Sequence, residues 1–203
     1  MTSLQVPSKA KPLAVNFPDA LPRMTMTAEQ FYEFCAVNPE LRIERTAEGE
    51  VIVMPPAFSD TGNRNFNIAV ALGVWAEKEG TGEGFDSSTG FTLPNGATRS
   101  PDAAWIKRER WNKLTPEQQE SFAPICPDFV IELRSKSDRL TPLQQKMQEY
   151  IDNGTKLALL IDRKQRKVHV YRLGTDPKVL DDPASVSCDP ELPGFQLKMR
   201  KIW

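Results

Sequence analysis

The sequence predicts a mixed α/β (α+β) domain with a central mixed β-sheet flanked by helices, preceded by an N-terminal helix and hairpin. Three features of the chain lead to this class. Two apolar runs, "DFVIELR" and "KLALLID", have the length and composition of buried strands. Between them lies "TPLQQKMQEYIDNG", whose apolar residues recur at helical spacing, so residues 128–162 read as strand, helix, strand. Along the whole chain the signals run helix, hairpin, helix, hairpin, strand, helix, hairpin, with no repeat, low-complexity block or domain boundary.

Residues 1–24 hold Pro7, Pro12, Pro18 and Pro22 with little periodicity and read as an extended or poorly ordered arm, which leaves 25–203 for the domain. In "TAEQFYEFCAVNP", Thr27 and Gln30 form a capping box, Phe31 and Phe34 supply an apolar face, and Pro39 stops the helix. "LRIERTAEGEVIVMPP" reads as a hairpin around Ala47-Glu48-Gly49. After a loop, "PPAFSDTG", a second helix is expected, with Phe66, Val70, Gly73, Val74 and Glu77 on one face and Gly80 past its end. "GFDSSTGFTLPNGATRSPDAAWI" reads as a hairpin turned by Asn95-Gly96. "KRERWNKLTPEQQESFAPIC" is a polar surface connection with a helical turn or two. In "TPLQQKMQEYIDNG", Thr141 is the expected cap, Pro142 the first helical residue and Gly154 the end. "KLALLID" and "KVHVYRL" are strands joined by a charged turn, and the tail "LPGFQLKMRKIW" adds one more strand.

A chain of 203 residues can bury one good-sized core. Its 39% hydrophobic and 26% charged residues are those of a water-soluble globular protein. A net charge of −1 gives no global attraction to nucleic acid or anionic membrane, so any nucleic-acid contact must come from a local basic patch. Cys35, Cys126 and Cys188 are far apart and form no CxxC pair, which argues against a zinc site or a disulfide framework. The single histidine, His169, excludes a multi-His metal centre and reads as an ordinary strand residue. Trp75, Trp105, Trp111 and Trp203 are expected in the core or an interface. With no membrane-spanning apolar run and no signal-like segment, the expected compartment is the cytoplasm.

The chemistry is carried by "PDFVIELRSKSD". Read as a strand, it turns Phe129, Ile131 and Leu133 to one face and Val130, Glu132 and Arg134 to the other. A charge in a core is costly unless it is paired, hydrogen-bonded or bound to a metal. "RSPDAAWI" puts a second carboxylate, Asp102, just before another apolar run. Two carboxylates on neighbouring strands can share Mg²⁺, which favours one or two carboxylates, several waters and a phosphate oxygen. A cation beside them can stabilise charge developing on a phosphoryl group. The competing reading is a structural Glu132–Arg134 ion pair that only fixes strand register.

"GEVIVMPP", "STGFTLPNGATRSPDAAWI", "PDFVIELRSKSD", "KMQEYIDNG", "LALLID" and "LPGFQL", in this order, resemble the Uma-two branch of the PD-(D/E)XK nuclease superfamily. The likeness runs from about residue 25 to the last residue. It implies a restriction-endonuclease-like core and a metal-dependent endonuclease acting on DNA, with Asp102 and Glu132 as ligands of Mg²⁺ or Mn²⁺. The chain departs from the superfamily pattern at Arg134, which stands where "ExK" places a lysine. Arginine does not readily lose a proton and grips phosphate as a planar fork.

The lysine role then falls to Lys146, assisted by Arg134, with Lys136 the runner-up. Lys146 sits at the edge of the Leu143–Met147–Tyr150–Ile151 stripe, next to Tyr150, and its stem can run along the sheet toward Glu132. Resemblance to the family supports that choice and adds an acidic residue near the first hairpin, Glu44, with Glu50 as alternative. Asp86 is a more distant acidic candidate or a turn residue. Asn63 and Arg64, at the expected start of the second helix, are candidates for contacting phosphate. A homodimer is expected if both strands of a duplex are cut. The alternative is a catalytically inactive, nuclease-derived module that binds nucleic acid or protein.

Overall fold

The computed structural model describes residues 24–203, so the arm expected over 1–24 lies, except for Met24, outside the described residues. Thr27 and Gln30 form the expected capping box at the start of α1 (Ala28–Val37), which buries Phe31. The hairpin follows as β1 (Arg42–Arg45) and β2 (Val51–Met54), paired antiparallel. Gly49 takes φ +89° in its turn, and a Cβ there would come within 2.9 Å of the Met26 carbonyl oxygen.

Helix α2 (Ser59–Glu79) begins inside the segment expected to be loop, and Gly80 ends it in the left-handed conformation. Its buried face carries Thr61, Ile68, Leu72 and Ala76. Phe66, Val70 and Val74 are exposed, so the face expected to pack is the one left toward solvent. The helix has apolar residues on both sides, and the bulkier set is not the set that meets the sheet.

Residues 82–107 divide between two sheets. β3 (Gly82–Asp86) pairs antiparallel with β6 (Ala103–Lys107) in the large sheet. β4 (Phe91–Thr92) and β5 (Thr98–Arg99) flank the Asn95-Gly96 turn and join the small sheet, whose order is β2-β1-β5-β4. The expected single hairpin is therefore a short hairpin of the small sheet, flanked in the chain by two longer strands of the large one. The polar connection forms two single turns, α3 (Arg108–Trp111) and α4 (Pro116–Gln119).

β7 (Phe129–Leu133), α5 (Leu140–Asp152) and β8 (Leu157–Asp162) form the expected strand–helix–strand unit, and β7 and β8 are parallel. α5 starts one residue before Thr141, with Arg139 at the cap position, so Thr141 is a helical residue and not the cap. β9 (Lys167–Arg172) and β10 (Lys178–Asp181) complete a mixed six-stranded sheet of order β10-β9-β8-β7-β6-β3. The tail forms β12 (Gln196–Lys198), paired with β11 (Ser185–Ser187), and closes in a 3₁₀ turn, Met199–Lys201. The strands β10 and β11 were not expected; they are short, mostly exposed and separated by Pro183.

Strand alternation sorts the core onto the two faces of the large sheet. Phe129, Ile131 and Leu133 pack with Ile68, Leu72 and Ala76 of α2. Val130, Ala104, Ala158 and Leu160 pack with Met147, Tyr150 and Ile151 of α5. Glu132 has the parity of Val130 and faces α5. Among the described residues, no helix is long and apolar enough to cross a membrane.

Candidate active site

Asp102 and Glu132 are brought together by strand register. In the antiparallel β6–β7 pair Ala103 opposes Ile131 and Trp105 opposes Phe129. One residue further along that register Asp102 opposes Glu132, and opposed residues share a face. Asp102 is tied to the strand that carries Glu132, because the Leu133 amide donates to its Oδ2 at 2.8 Å. Its Oδ1 accepts from the Asn65 side-chain amide of α2 at 2.6 Å. Each oxygen then retains a lone pair.

α5 supplies the cation. Lys146 Nζ stands 2.7 Å from Glu132 Oε1 and 2.7 Å from Glu44 Oε1. The Tyr150 hydroxyl, one turn later, donates to the same Glu132 oxygen at 3.2 Å. Glu44 comes from β1, where it is only 3% exposed. It also accepts the Ser100 amide at 2.9 Å and Arg99 Nη1 at 3.2 Å. Arg99 in turn holds Glu149 of α5 at 2.6 Å, and the Asn95 side chain donates to the same carboxylate. The small sheet is thus pinned to α5 by the network that presents Glu44.

These surroundings push the carboxyls in different directions. Burial, and then the charges of Asp102 and Glu44, raise Glu132 to about 7 despite the nearby Lys146. Burial also raises Asp102, against the Leu133 hydrogen bond and the Lys146 charge. Burial opposes ionisation of Glu44, but Lys146 and Arg99 outweigh it and hold its carboxyl below the usual range. Burial would strip the proton from Lys146, yet Glu132 and Glu44 reverse the effect and keep it a cation.

The remaining sequence-selected residues lie elsewhere. Arg134 does not pair with Glu132; its Nη1 donates to the fully buried Asp162 of β8 at 2.6 Å. The register-fixing Glu132–Arg134 pair is therefore absent, and the register contact runs from β7 to β8. Lys136 is exposed beyond the end of β7. Asp86 is a turn residue, accepting from the Ser88 amide and hydroxyl. Asn63 and Arg64 lie inside α2 and not at its start; Arg64 donates to the Ile202 and Trp203 carbonyls and pairs with Asp60. Glu50 starts the second half of the hairpin, its backbone bridged to Thr25.

Asn65, Arg99 and Tyr150 were not selected as site residues from the sequence. Asn65 carried a usable signal, since it lies on the same helical face as Thr61, Ile68 and Leu72, where a polar residue needs a partner. Arg99 and Glu149 gave none, as their pairing joins elements 50 residues apart.

A divalent ion can be tested against these donors. Among the described residues the cations paired with Glu44, Glu132 and Glu149 are Lys146 and Arg99, and Asp102 makes no ion pair. The cluster holds more carboxylate than cation, and burial, which raises both Asp102 and Glu132, leaves those two carboxyls the ones that a bound cation would stabilise most. No group of three or more His, Cys, Asp or Glu side chains is arranged around one point among the described residues. The donor set fits an ion that takes one or two carboxylates and completes its shell with water and phosphate, as Mg²⁺ does.

The family model described as "Putative restriction endonuclease", Uma2, matches residues 28–200. The chain belongs to the Uma2 family. This Uma2 chain also resembles a crystal structure from Anabaena variabilis ATCC 29413, described as a "putative nuclease belonging to DUF820". The TM-score is 0.72 at 20% identity, covering 87% of this chain and 97% of that one, which establishes a common fold. No curated protein matches the chain. The fold and membership of the Uma2 family agree with the sequence-based expectation.

Proposed function

We propose that this chain is a metal-dependent phosphodiesterase that cuts DNA, with its centre at Asp102, Glu132 and Lys146. The observation that carries the reading is the hydrogen bond of the Leu133 amide, next to Glu132, to Asp102 Oδ2 at 2.8 Å, with Lys146 Nζ 2.7 Å from Glu132. Asp102 and Glu132 would hold Mg²⁺ or Mn²⁺. When bound, such an ion polarises a phosphoryl oxygen and lowers the pKa of a coordinated water.

The protein groups have separate tasks. The Leu133 amide and Asn65 hold the Asp102 carboxylate in place. Lys146 spends two of its three N–H donors on Glu44 and Glu132, leaving one for a non-bridging phosphate oxygen. Because both carboxylates keep it protonated, its role is to stabilise the negative charge that builds up on the phosphoryl oxygens, not to abstract a proton. Glu44 aims the ammonium. Arg134, turned to Asp162, lends positive field at the end of β7 without entering the cluster.

The test is nicking of supercoiled plasmid by the purified protein with Mg²⁺ or Mn²⁺, against Asp102→Asn and Glu132→Gln. The parent should cut only with the metal, and neither variant should cut while both keep the parental circular dichroism. A folded double variant that cut like the parent would end the proposal. Metal-stabilised protein with no cleavage of DNA would favour the inactive binding module instead.

A further inference from the structure

We infer that the groove between the start of α2 and the ends of β7 and β8 is the track for the DNA backbone beside the scissile bond, an inference that rests on the nuclease reading above. The groove has a volume of about 440 Å³ and is lined by Phe58, Thr61, Arg134, Lys136, Arg163 and Lys164, among others. Its floor is formed where the parallel strands end: Arg134 follows Leu133 of β7, and Arg163 and Lys164 follow Asp162 of β8. The carboxyl ends of parallel strands are where open α/β sheets place their ligands.

The lining of the groove neighbours the catalytic cluster in sequence along two elements. On α2, Thr61 lies one turn before Asn65, which holds Asp102. On β7, Arg134 lies two residues beyond Glu132. A strand of nucleic acid lying in the groove therefore passes the end of β7, two residues beyond Glu132.

Charge identifies the occupant. Four cationic side chains line the groove against a single carboxylate, Asp60, in a chain whose net charge is −1. Arg134 and Arg163 are fixed by Asp162 and Asp60. Arg163 Nε is buried with no acceptor. Lys136 and Lys164 are exposed and make no ion pair among the described residues. Fixed guanidiniums flanked by free ammoniums suit a polyanion whose charges recur along a line. Phe58 is 68% exposed at the mouth, offering an apolar face to a sugar or base.

The experiment measures binding of a fluorescein-labelled DNA oligonucleotide, single-stranded and duplex, by anisotropy in EDTA across a range of NaCl concentrations. The proteins are the parent, Lys136→Ala/Lys164→Ala and Phe58→Ala. The double lysine variant should melt with the parent, bind more weakly, and show a log–log salt slope shallower by about 1.8 for duplex and about 1.4 for single strand. Phe58→Ala should weaken binding with the slope unchanged. Plasmid nicking by the double variant should fall at low DNA concentration and recover at saturation. A parent that binds and cuts DNA, with affinity and slope unaltered in the double variant, would overturn the groove and leave the nuclease reading standing. A parent that neither binds nor cuts would overturn both.

Discussion

Asp102 accepts the backbone amide of Leu133 at 2.8 Å, so one proposed metal ligand is fastened to the strand that bears the other. The two carboxylates cannot drift apart without breaking a strand-to-strand contact. What remains adjustable is their charge, which the neighbouring groups control.

The first is a pH dependence of stability. The folded chain holds the Glu132 proton more tightly than the unfolded chain, with its pKa raised from 4.5 to about 7. The stability from this proton is complete below pH 4.5 and is lost as pH rises through 7. Between about pH 6.5 and about pH 8 the loss should be about 1 kcal/mol. Below that window His169 acts in the opposite sense, since burial lowers its pKa from 6.5. Urea unfolding across the window should show the decline, and Glu132→Gln should flatten it. A parent equally stable at both ends would contradict the assignment.

Lys146 is expected to matter most when Glu132 is ionised. Lys146→Ala leaves two buried carboxylates facing each other and should cost roughly 3–5 kcal/mol at alkaline pH. The deficit should shrink at about pH 6, because Glu132 then takes a proton. A deficit independent of pH would mean that the ammonium acts by packing alone.

Asn65 is expected to be a positioning residue for Asp102. Asn65→Ala should weaken Mn²⁺ binding, measured by calorimetry, by about tenfold or more. The accompanying loss of stability should be only about 1 kcal/mol. Unchanged Mn²⁺ affinity would remove Asn65 from the site.

Arg134 is expected to be chiefly structural. Arg134→Ala strands the Asp162 carboxylate, which is fully buried, and should destabilise the fold by about 3 kcal/mol. Thermal melting tests this directly. A variant that melts with the parent but has lost cleavage would restore Arg134 to the lysine-like role suggested by its place in "ELR".

The parts of the molecule that could be read from the sequence are those written locally. The Thr27–Gln30 box, the alternation through Phe129–Leu133 and the Asn95-Gly96 turn each depend on neighbours a few residues away. The packed face of α2 was misjudged because Phe66, Val70 and Val74 outweigh Ile68, Leu72 and Ala76 in bulk, and only the sheet decides between them. The partner of Arg134 was invisible for a related reason. Asp162 is next to it only because β7 and β8 run parallel with Leu133 beside Ile161. Lys146 was accessible because helical spacing places it beside Tyr150, whereas Arg99 required knowledge of how the small sheet docks.

Glu44 and Lys146 meet across 102 residues of chain, and Asp102 and Glu132 enter from strands between them. No short fragment contains the cluster, and a nascent chain lacks it until α5 has left the ribosome and closed over the sheet. Cleavage by a protease in the polar connection between β6 and β7 would separate the two carboxylates into different polypeptides. On the proposed reading either half alone would be inert, and cleavage would return only if the two reassembled.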